Sequence, residues 1–299
     1  MKAEPRPLTA PLPGGTSGAT VTVEPMVTGT FSSPDILHSH AGGTVGSFKV
    51  MRESRKDNPA SPIPCFLIRH PSIGPILVDT GLHPSISSDP TMNLGRFGTS
   101  FYKPQLGPGD DASSQLRAKG VDPASIRLVI LTHLHIDHAS AIADFPDSTL
   151  IVTAKEWEAA TTGMLPFRNG YRREQFDYGF DYRTVDFNDS TVNSYASFGR
   201  TIDLFGDGSV RLVSTPGHTT GHQSVLVRLS ERDMLIGGDA VYLEGQLEAG
   251  SDLPGRIVDE HQFRRSLQEL RLFHSQYPNA VITPGHDKAF YDAAPTKYE

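Results

Sequence analysis

The sequence THLHIDH, residues 132–138, directly follows the apolar run Ile126–Leu131, which is predicted to form a buried strand. Three imidazoles and one carboxylate therefore occur within six residues at the end of a strand. If His133 and His135 share one side of an extended segment, both can bind a single metal ion. The Asp and the His beyond the turn then point to a second ion nearby. This stretch predicts a metal site.

Three other segments end an apolar run in a similar way: STPGH at 214–218, GGD at 237–239 and TPGH at 283–286. Loops at the ends of packed sheets converge, so we expect the ligand-type side chains of these segments to meet the first cluster. Five imidazoles and two carboxylates suffice for two ions that share one bridging ligand. We assign His133, His135 and His218 to one ion, Asp137, His138 and His286 to the other, and Asp239 to the bridge.

Such a site suggests hydrolytic chemistry. Two metal ions about 3.5–4 Å apart hold a water between them and lower its pKa towards neutrality, which supplies a hydroxide nucleophile. The sequence has no G-x-S-x-G nucleophile elbow and no Cys–His nucleophile pair, which agrees with this interpretation. Asp137, touching a metal and facing the cleft, is predicted to carry a proton from the attacking hydroxide to the leaving alkoxide.

Composition excludes several classes of protein. The 299 residues carry 27 Lys+Arg and 34 Asp+Glu, a net charge of −7, and no basic block, so nucleic acid is not expected as a partner. Cys65 is the single cysteine, which excludes an internal disulfide framework and a Cys-rich metal site. No apolar run reaches the roughly 18–20 residues that span a bilayer, so no membrane partner is expected. The N-terminus lacks the apolar run of a signal peptide, and we expect a cytoplasmic protein.

The chain divides into a flexible, Pro- and Gly-rich tail over 1–17 and a single domain over 18–299, with an insertion or lid at about 160–200. Strands are predicted at Val45–Met51 and in a hairpin of Cys65–Arg69 and Pro75–Asp79. An amphipathic helix is predicted to open near Asp259. Strands outnumber helices, and both halves run strands then a helix. The expected fold is α/β, with two packed β-sheets and helices outside, a four-layer αβ/βα sandwich.

The HLHIDH motif, followed by single His, Asp and His ligands in that order, resembles the metallo-β-lactamase superfamily. Within it, the chain is similar to the N-acyl-homoserine lactonases, the quorum-quenching branch. The segments that carry this likeness are ILVDTG at 76–81, TPGHTTGHQS at 215–224, GDAVY at 238–242 and GHD at 285–287. The resemblance covers roughly residues 45–299. It implies an αβ/βα sandwich, two divalent ions with zinc expected, ring opening of a small-molecule lactone, and a homodimer.

The resemblance also implies roles for three residues outside the ligand set. Tyr242 stands three residues after Asp239, where the lactonase pattern carries a tyrosine near the metals, and its phenol is expected to donate to the substrate carbonyl as an oxyanion forms. Asp79 resembles the superfamily's carboxylate that steadies a liganding histidine. His222 is expected to support the sheet near the site instead of binding metal.

An apolar pocket is expected for the acyl tail of the substrate. The candidate walls are Met92, Phe97, Phe101, Tyr102, Met164, Leu165 and Phe167. The chain departs from the lactonase pattern at Ala139-Ser140-Ala141 and in the long separation of His138 from His218. These departures affect the expected substrate size and the loop over the site more than the expected metal ligands.

Other functions stay open at this point. The main alternative is a metallo-β-lactamase-fold hydrolase of another lactone, or of a thioester as in glyoxalase II, which would want a basic pocket. Two further functions are disfavoured: flavo-diiron proteins carry a Glu in place of His135, and nuclease relatives need a basic groove, which the net charge of −7 does not favour. A metal-dependent binding or sensor protein without turnover is the non-enzymatic alternative.

Overall fold

Two β-sheets form the centre of the molecule in the computed structural model, which describes residues 2–32, 60–101, 103–162, 170–251, 253–254 and 257–299. Within helix α2 (Pro90–Phe101), the side chains at 92, 96–98, 100 and 101 lie outside this description. The predicted strand Val45–Met51 also falls outside the described residues.

The first sheet has eight strands among the described residues. In spatial order they are β1 (Arg6–Pro7), β8 (Asp181–Val185), β7 (Thr149–Thr153), β6 (Leu128–Ile130), β4 (Gly74–Val78), β3 (Ser61–His70), β2 (Thr22–Ser32) and β5 (Lys103–Gln105). Strands β4, β6, β7 and β8 run parallel, so their carboxyl ends reach the same edge. Strands β3 and β4 form the antiparallel hairpin that was predicted around residues 65–79.

The second sheet has six strands in the described part of the chain. In spatial order they are β14 (Val281–Thr283), β13 (Asp233–Ile236), β12 (Gln223–Arg228), β11 (Val210–Ser214), β10 (Phe198–Asp203) and β9 (Asn193–Tyr195). Strands β13 and β14 run parallel, whereas the other neighbouring pairs are antiparallel.

Alternation along the strands creates three apolar layers. Ile76 and Val78 on β4 pack with Val225 and Val227 on β12 in the cluster between the two sheets. The residue between each of these pairs points to the other face of its sheet, away from the partner sheet. Leu77 joins a cluster with the helices that cover the first sheet, and the equivalent residue of β12, Leu226, joins one with α6 (Glu260–Gln276). The order helix, sheet, sheet, helix confirms the predicted four-layer αβ/βα sandwich.

The helices lie outside the sheets or at their edges. The remaining helices are α1 (Ser85–Ser88), α3 (Ala112–Ala118), α4 (Ile136–Ala139), α5 (Ala154–Thr161) and α7 (Lys288–Ala293). Helix α6 is the predicted amphipathic helix. Asp259 caps its first turn by accepting from the Gln262 N–H, and Phe263, Leu267 and Leu270 are buried on one face. None of the described helices is both long and apolar enough to cross a membrane.

The structure places part of the segment 1–17, which is predicted to be a flexible tail, against the domain. Arg6–Pro7 pairs with Arg183–Thr184 at the edge of the first sheet, and the Leu12 N–H donates to the Leu204 carbonyl at 2.7 Å. Leu8, Ala10 and Leu12 pack against the cluster between the sheets. These three side chains are partly buried, and burial of apolar surface favours a position against the domain in spite of the prolines on which the prediction rested.

The segment 160–200 also differs from prediction in its described part. Residues 181–185 form β8 inside the first sheet, and residues 193–195 begin the second sheet. Phe176 and Tyr182 are fully buried. These two aromatic residues of the segment predicted as an insertion or lid are therefore core residues, and the described part of the segment consists of short strands joined by turns.

Candidate metal centre

Four loops bring the seven predicted ligands to one place at the edge of the two sheets. The loop after β6 carries His133 and His135, and helix α4 carries Asp137 and His138. His218 follows β11, Asp239 lies in a short 3-10 turn after β13, and His286 follows β14. All seven side chains are buried and fall into three overlapping groups, each compact enough to hold one ion.

One group contains three imidazoles. Nε2 of His218 lies 3.2 Å from Nε2 of His133 and 2.9 Å from Nδ1 of His135. The carboxylate of Asp239 approaches this group through Oδ2, which lies 3.2 Å from Nε2 of His218. Three ring nitrogens and a carboxylate oxygen are thus directed at a common point.

The other side of the centre has mixed donors. Oδ2 of Asp137 lies 3.5 Å from Nε2 of His138 and 3.5 Å from Nε2 of His286. Oδ1 of Asp239 lies 3.3 Å and 3.2 Å from the same two nitrogens. Oδ2 of Asp239 also lies 3.3 Å from Nε2 of His286, so this carboxylate contacts ligands of both groups, which is the placement expected of a bridging ligand.

The outward ring nitrogens are held by hydrogen bonds. The partners are Thr132 Oγ1 for His133 Nδ1 (3.0 Å), Asp79 for His138 Nδ1 (2.8 Å), Tyr242 for His218 Nδ1 (2.8 Å) and the Pro62 carbonyl for His286 Nδ1 (3.0 Å). Such bonds fix a tautomer and direct the other nitrogen inwards. Buried His138 Nε2 and Asp239 Oδ1 have no hydrogen-bond partner among the described residues. A His and carboxylate set of this kind fits a pair of divalent cations.

Burial and neighbouring charges shift the pKa values of the ligand side chains. Burial opposes ionisation of Asp239, but His286, His218 and His138 outweigh it and hold the pKa of that carboxyl well below its usual range. Burial, together with the neighbouring imidazoles, holds the pKa of His133 well below its usual value. Burial also opposes protonation of His138 and His286, but the neighbouring carboxylates outweigh it and raise the pKa of both imidazoles. Ionised Asp239 and neutral His133 are in the forms that bind a metal ion, whereas protonated His138 and His286 would have to release a proton when a cation binds.

Two residues predicted to support the centre lie directly behind it. Asp79 accepts from the Thr132 N–H at 2.7 Å and the Thr132 hydroxyl at 2.8 Å, in addition to its bond with His138. His222 lies outside the three ligand groups. Its Nε2 accepts from the Asp239 N–H at 3.0 Å, and burial together with nearby His218 lowers the pKa of its imidazole to about 3.

The two residues predicted to act on the substrate also border the centre. The Tyr242 phenol contacts His218, and its ring centroid lies 5.4 Å from that of His286. Asp137 is 8% exposed, the largest fraction among the seven grouped residues. Of the predicted pocket walls, Tyr102, Met164, Leu165 and Phe167 lie outside the described residues, as do the side chains of Met92, Phe97 and Phe101.

Glu156 and Tyr171 also lie beside the centre, although no sequence pattern predicted either residue there. Glu156 is fully buried and its carboxylate reaches the loops that carry the three-imidazole group, while the Tyr171 ring lies 5.1 Å from that of His135. The available signal was Thr153-x-x-Glu156, a pattern typical of an ordinary helix N-terminus.

Comparisons with known proteins agree with this geometry. The profile described as "Metallo-beta-lactamase superfamily" matches residues 58–286. The chain is 36% identical over 228 residues to N-acyl homoserine lactonase AttM of Rhizobium radiobacter. The matched region covers 76% of this chain and 82% of AttM. A Bacillus cereus N-acyl homoserine lactonase is 28% identical, covering 76% and 81% of the two chains.

Among solved structures, an AiiA variant from B. thuringiensis with N-decanoyl-L-homoserine bound at its active site superposes with a TM-score of 0.72. The identity is 22%, and the match covers 92% of this chain and 97% of that one. This likeness shows that the two chains share a fold.

Proposed function

The chain belongs to the metallo-β-lactamase superfamily, and from that membership we propose that it opens the lactone ring of N-acyl-homoserine lactones, the reaction of quorum quenching. The product is an N-acyl-homoserine, a hydroxy acid. The observation that carries the proposal is the Tyr242 phenol, 2.8 Å from Nδ1 of His218, in a chain 36% identical to a lactonase.

Two divalent cations, held by the seven grouped residues with Asp239 between them, would supply a water of lowered pKa and polarise the ester carbonyl. Imidazole and carboxylate donors suit zinc, which we propose as the ion. The cytoplasmic location and the homodimer expected from the sequence remain predictions, to be tested by cell fractionation and light scattering.

Tyr242 is proposed to stabilise the oxyanion. A histidine that presents Nε2 to a cation carries its hydrogen on Nδ1, so His218 donates to the phenol oxygen of Tyr242. In that bond the phenol oxygen is the acceptor, and its O–H is the group that we propose donates to the carbonyl oxygen of the lactone. A donor aimed at developing negative charge accelerates acyl transfer.

Asp137 is proposed to move the proton. Its carboxylate lies 3.5 Å from both His138 and His286 and is the most exposed of the seven grouped side chains. Beside the centre and with the most solvent access of the seven, it can take a proton from the attacking water and deliver it to the alkoxide of the opened ring. The alkoxide leaves as the hydroxyl of the product.

Assays of purified protein with known metal content test the proposal. N-acyl-homoserine lactones, glutathione thioesters and phosphodiesters are compared by the acid that each hydrolysis releases. We expect turnover of the lactones alone, lost with a chelator and restored by Zn²⁺. Comparable rates on a thioester would favour a glyoxalase II-like enzyme, and two bound ions without any turnover would indicate a binding protein.

A further inference from the structure

Glu156 lies at the start of helix α5 and turns its carboxylate away from that helix towards two loops. Oε1 accepts from the Leu134 N–H at 2.9 Å. Oε2 accepts from the Thr219 hydroxyl at 2.6 Å and from the Gly221 N–H at 3.2 Å. One buried carboxylate therefore joins the loop of His133 and His135 to the loop of His218.

The contact with the second loop depends on a close backbone approach. A β-carbon built on Gly221 would lie 2.1 Å from the backbone nitrogen of Glu156. The hydroxyl of Thr153, which caps α5, donates to the Gly221 carbonyl at 2.6 Å. Glycine at this position lets the helix end and the loop meet directly, within reach of the Glu156 side chain.

Tyr171 adds a third connection. Its side chain hydrogen-bonds to Glu156, and its backbone forms an antiparallel bridge with His135. Every partner of the carboxylate therefore belongs to the surroundings of the three-imidazole group. Asp137 and His286, on the opposite side of the centre, are held by other contacts, among them the bond from His286 to the Pro62 carbonyl.

We propose that Glu156 is a positioning residue for one of the two cations, the one held by His133, His135 and His218. It fixes the spacing between the two loops that supply those imidazoles, and it has no comparable part in holding the cation at Asp137, His138 and His286. The inference rests on the two-cation centre of the proposed function, and it adds that the two cations depend on different supports.

The chemistry of the side chain makes the proposal specific. Each oxygen of Glu156 faces at least one backbone N–H, from Leu134 or from Gly221. The amide of Glu156→Gln has one oxygen and one NH₂, so one of these N–H groups must face a donor. Backbone N–H groups cannot reverse their role, and a buried donor without an acceptor is destabilising. The variant changes almost no volume.

The test separates the two cations. Metal-free protein is titrated with Zn²⁺ against a chromophoric chelator, in a His286→Ala background that retains the three-imidazole group and in a His218→Ala background that retains the other. Glu156→Gln is expected to weaken Zn²⁺ binding about 10- to 100-fold in the first background, the range for lost supports of metal ligands. In the second background, we expect binding within about threefold of the background alone.

Two further variants guard against a general folding defect. Thr219→Val removes one donor to Glu156 and should give a smaller loss in the same background only. Asp111→Asn is the control, since Asp111 is also a buried carboxylate but accepts from Ser114 in its own helix α3, and it should leave both affinities unchanged. Melting temperatures of the metal-free forms report folding separately.

Equal losses of Zn²⁺ affinity in both backgrounds, or a loss in neither, would overturn the proposal. No lactone enters the titration. A wild-type protein that binds two Zn²⁺ but opens no lactone would therefore contradict the proposed function and leave the role of Glu156 to be decided by the titration.

Discussion

The carboxylate of Asp79 lies 2.8 Å from Nδ1 of His138, on a residue whose backbone has a φ of 57°, in the left-handed region. Asp is one of the few residues that adopt this conformation readily. It occurs directly after strand β4, and the turn brings the carboxylate onto both Thr132 and His138. One side chain thus connects the end of a central strand to the metal centre.

Replacing Asp79 is expected to lower the affinity of the centre for metal ions, because Asp79 holds the ligand His138. Asp79→Asn keeps a residue that tolerates the backbone but exchanges one acceptor oxygen for a donor. We expect Zn²⁺ affinity to fall about 10- to 100-fold, and the free energy of unfolding of the metal-free protein to fall by about 1–3 kcal/mol. Chelator competition and urea unfolding measure the two effects. Asp122→Asn, at an exposed helix cap, is the control, and unchanged Zn²⁺ affinity in Asp79→Asn would contradict the assigned role.

Removing the phenol of Tyr242 tests its proposed contact with the substrate. Loss of one oxyanion donor lowers kcat by about 10²- to 10³-fold in other acyl-transfer enzymes, and we expect a fall of that size in Tyr242→Phe. KM and the content of two cations should change little. Steady-state kinetics and elemental analysis are compared with Tyr195→Phe, whose hydroxyl faces Asp233 away from the centre. An unchanged kcat would exclude the donor role, and lost cations would show that Tyr242 acts through His218.

Gly285 is expected to be essential for the position of Asp239. A β-carbon at Gly285 would lie 2.5 Å from Oδ1 of Asp239, so Gly285→Ala must displace the bridging carboxylate. Because misplacement of a catalytic group by about 1 Å can cost about 10²-fold, we expect lactone turnover to fall by about that factor and cation content to drop. In the matched control Gly199→Ala, the new methyl meets no atom within 4 Å. Wild-type turnover by Gly285→Ala would contradict the bridging position of Asp239.

Glu24 gives a pH dependence of stability that is separate from the metal centre. Burial alone would raise the pKa of Glu24, but its hydrogen bonds to Arg69 (2.6 Å) and Lys119 (3.1 Å) outweigh burial and lower it. A pKa lowered by folding stabilises the protein above the carboxyl's unfolded pKa, and this contribution is lost as the pH falls through the folded value.

Between about pH 5 and pH 3, wild type should therefore lose more stability than Glu24→Gln, by no more than about 1 kcal/mol for a pair near the surface. Urea unfolding with chelator present measures the difference. Glu231→Gln, an exposed carboxyl, should behave like wild type. Parallel pH profiles for wild type and Glu24→Gln would contradict the prediction.

Local patterns predicted the sandwich and the convergence of the ligand residues. The strand that ends at Ile130 and the strand that ends at Ile236 are short apolar runs, and each is followed three residues later by a ligand-type side chain. These strands lie in different sheets, and the loops that follow them converge because the two sheets pack against each other. Burial of alternate residues on two sheets likewise follows from the period of the strands.

The N-terminal segment and Glu156 show where such patterns are insufficient. Leu8, Ala10 and Leu12 become partly buried because the segment that carries them follows β1, which pairs with β8, far away in the sequence. Glu156 has the sequence of a helix N-terminus, and only the approach of Gly221 makes its carboxylate a link between loops. Both features depend on contacts with residues far away in the sequence, which local patterns do not contain.

The sequence by itself determined the type of site, since the identity and order of imidazoles and carboxylates decide which ions are bound, and that information is local. The tertiary structure decided which atom of each side chain faces the centre. It also decided that the carboxylate of Asp239 lies between the two groups, that Asp79 contacts both Thr132 and His138, and that Glu156 contacts the loops on either side of the three-imidazole group. These properties depend on distances between segments far apart in the chain, which arise only when the two sheets pack.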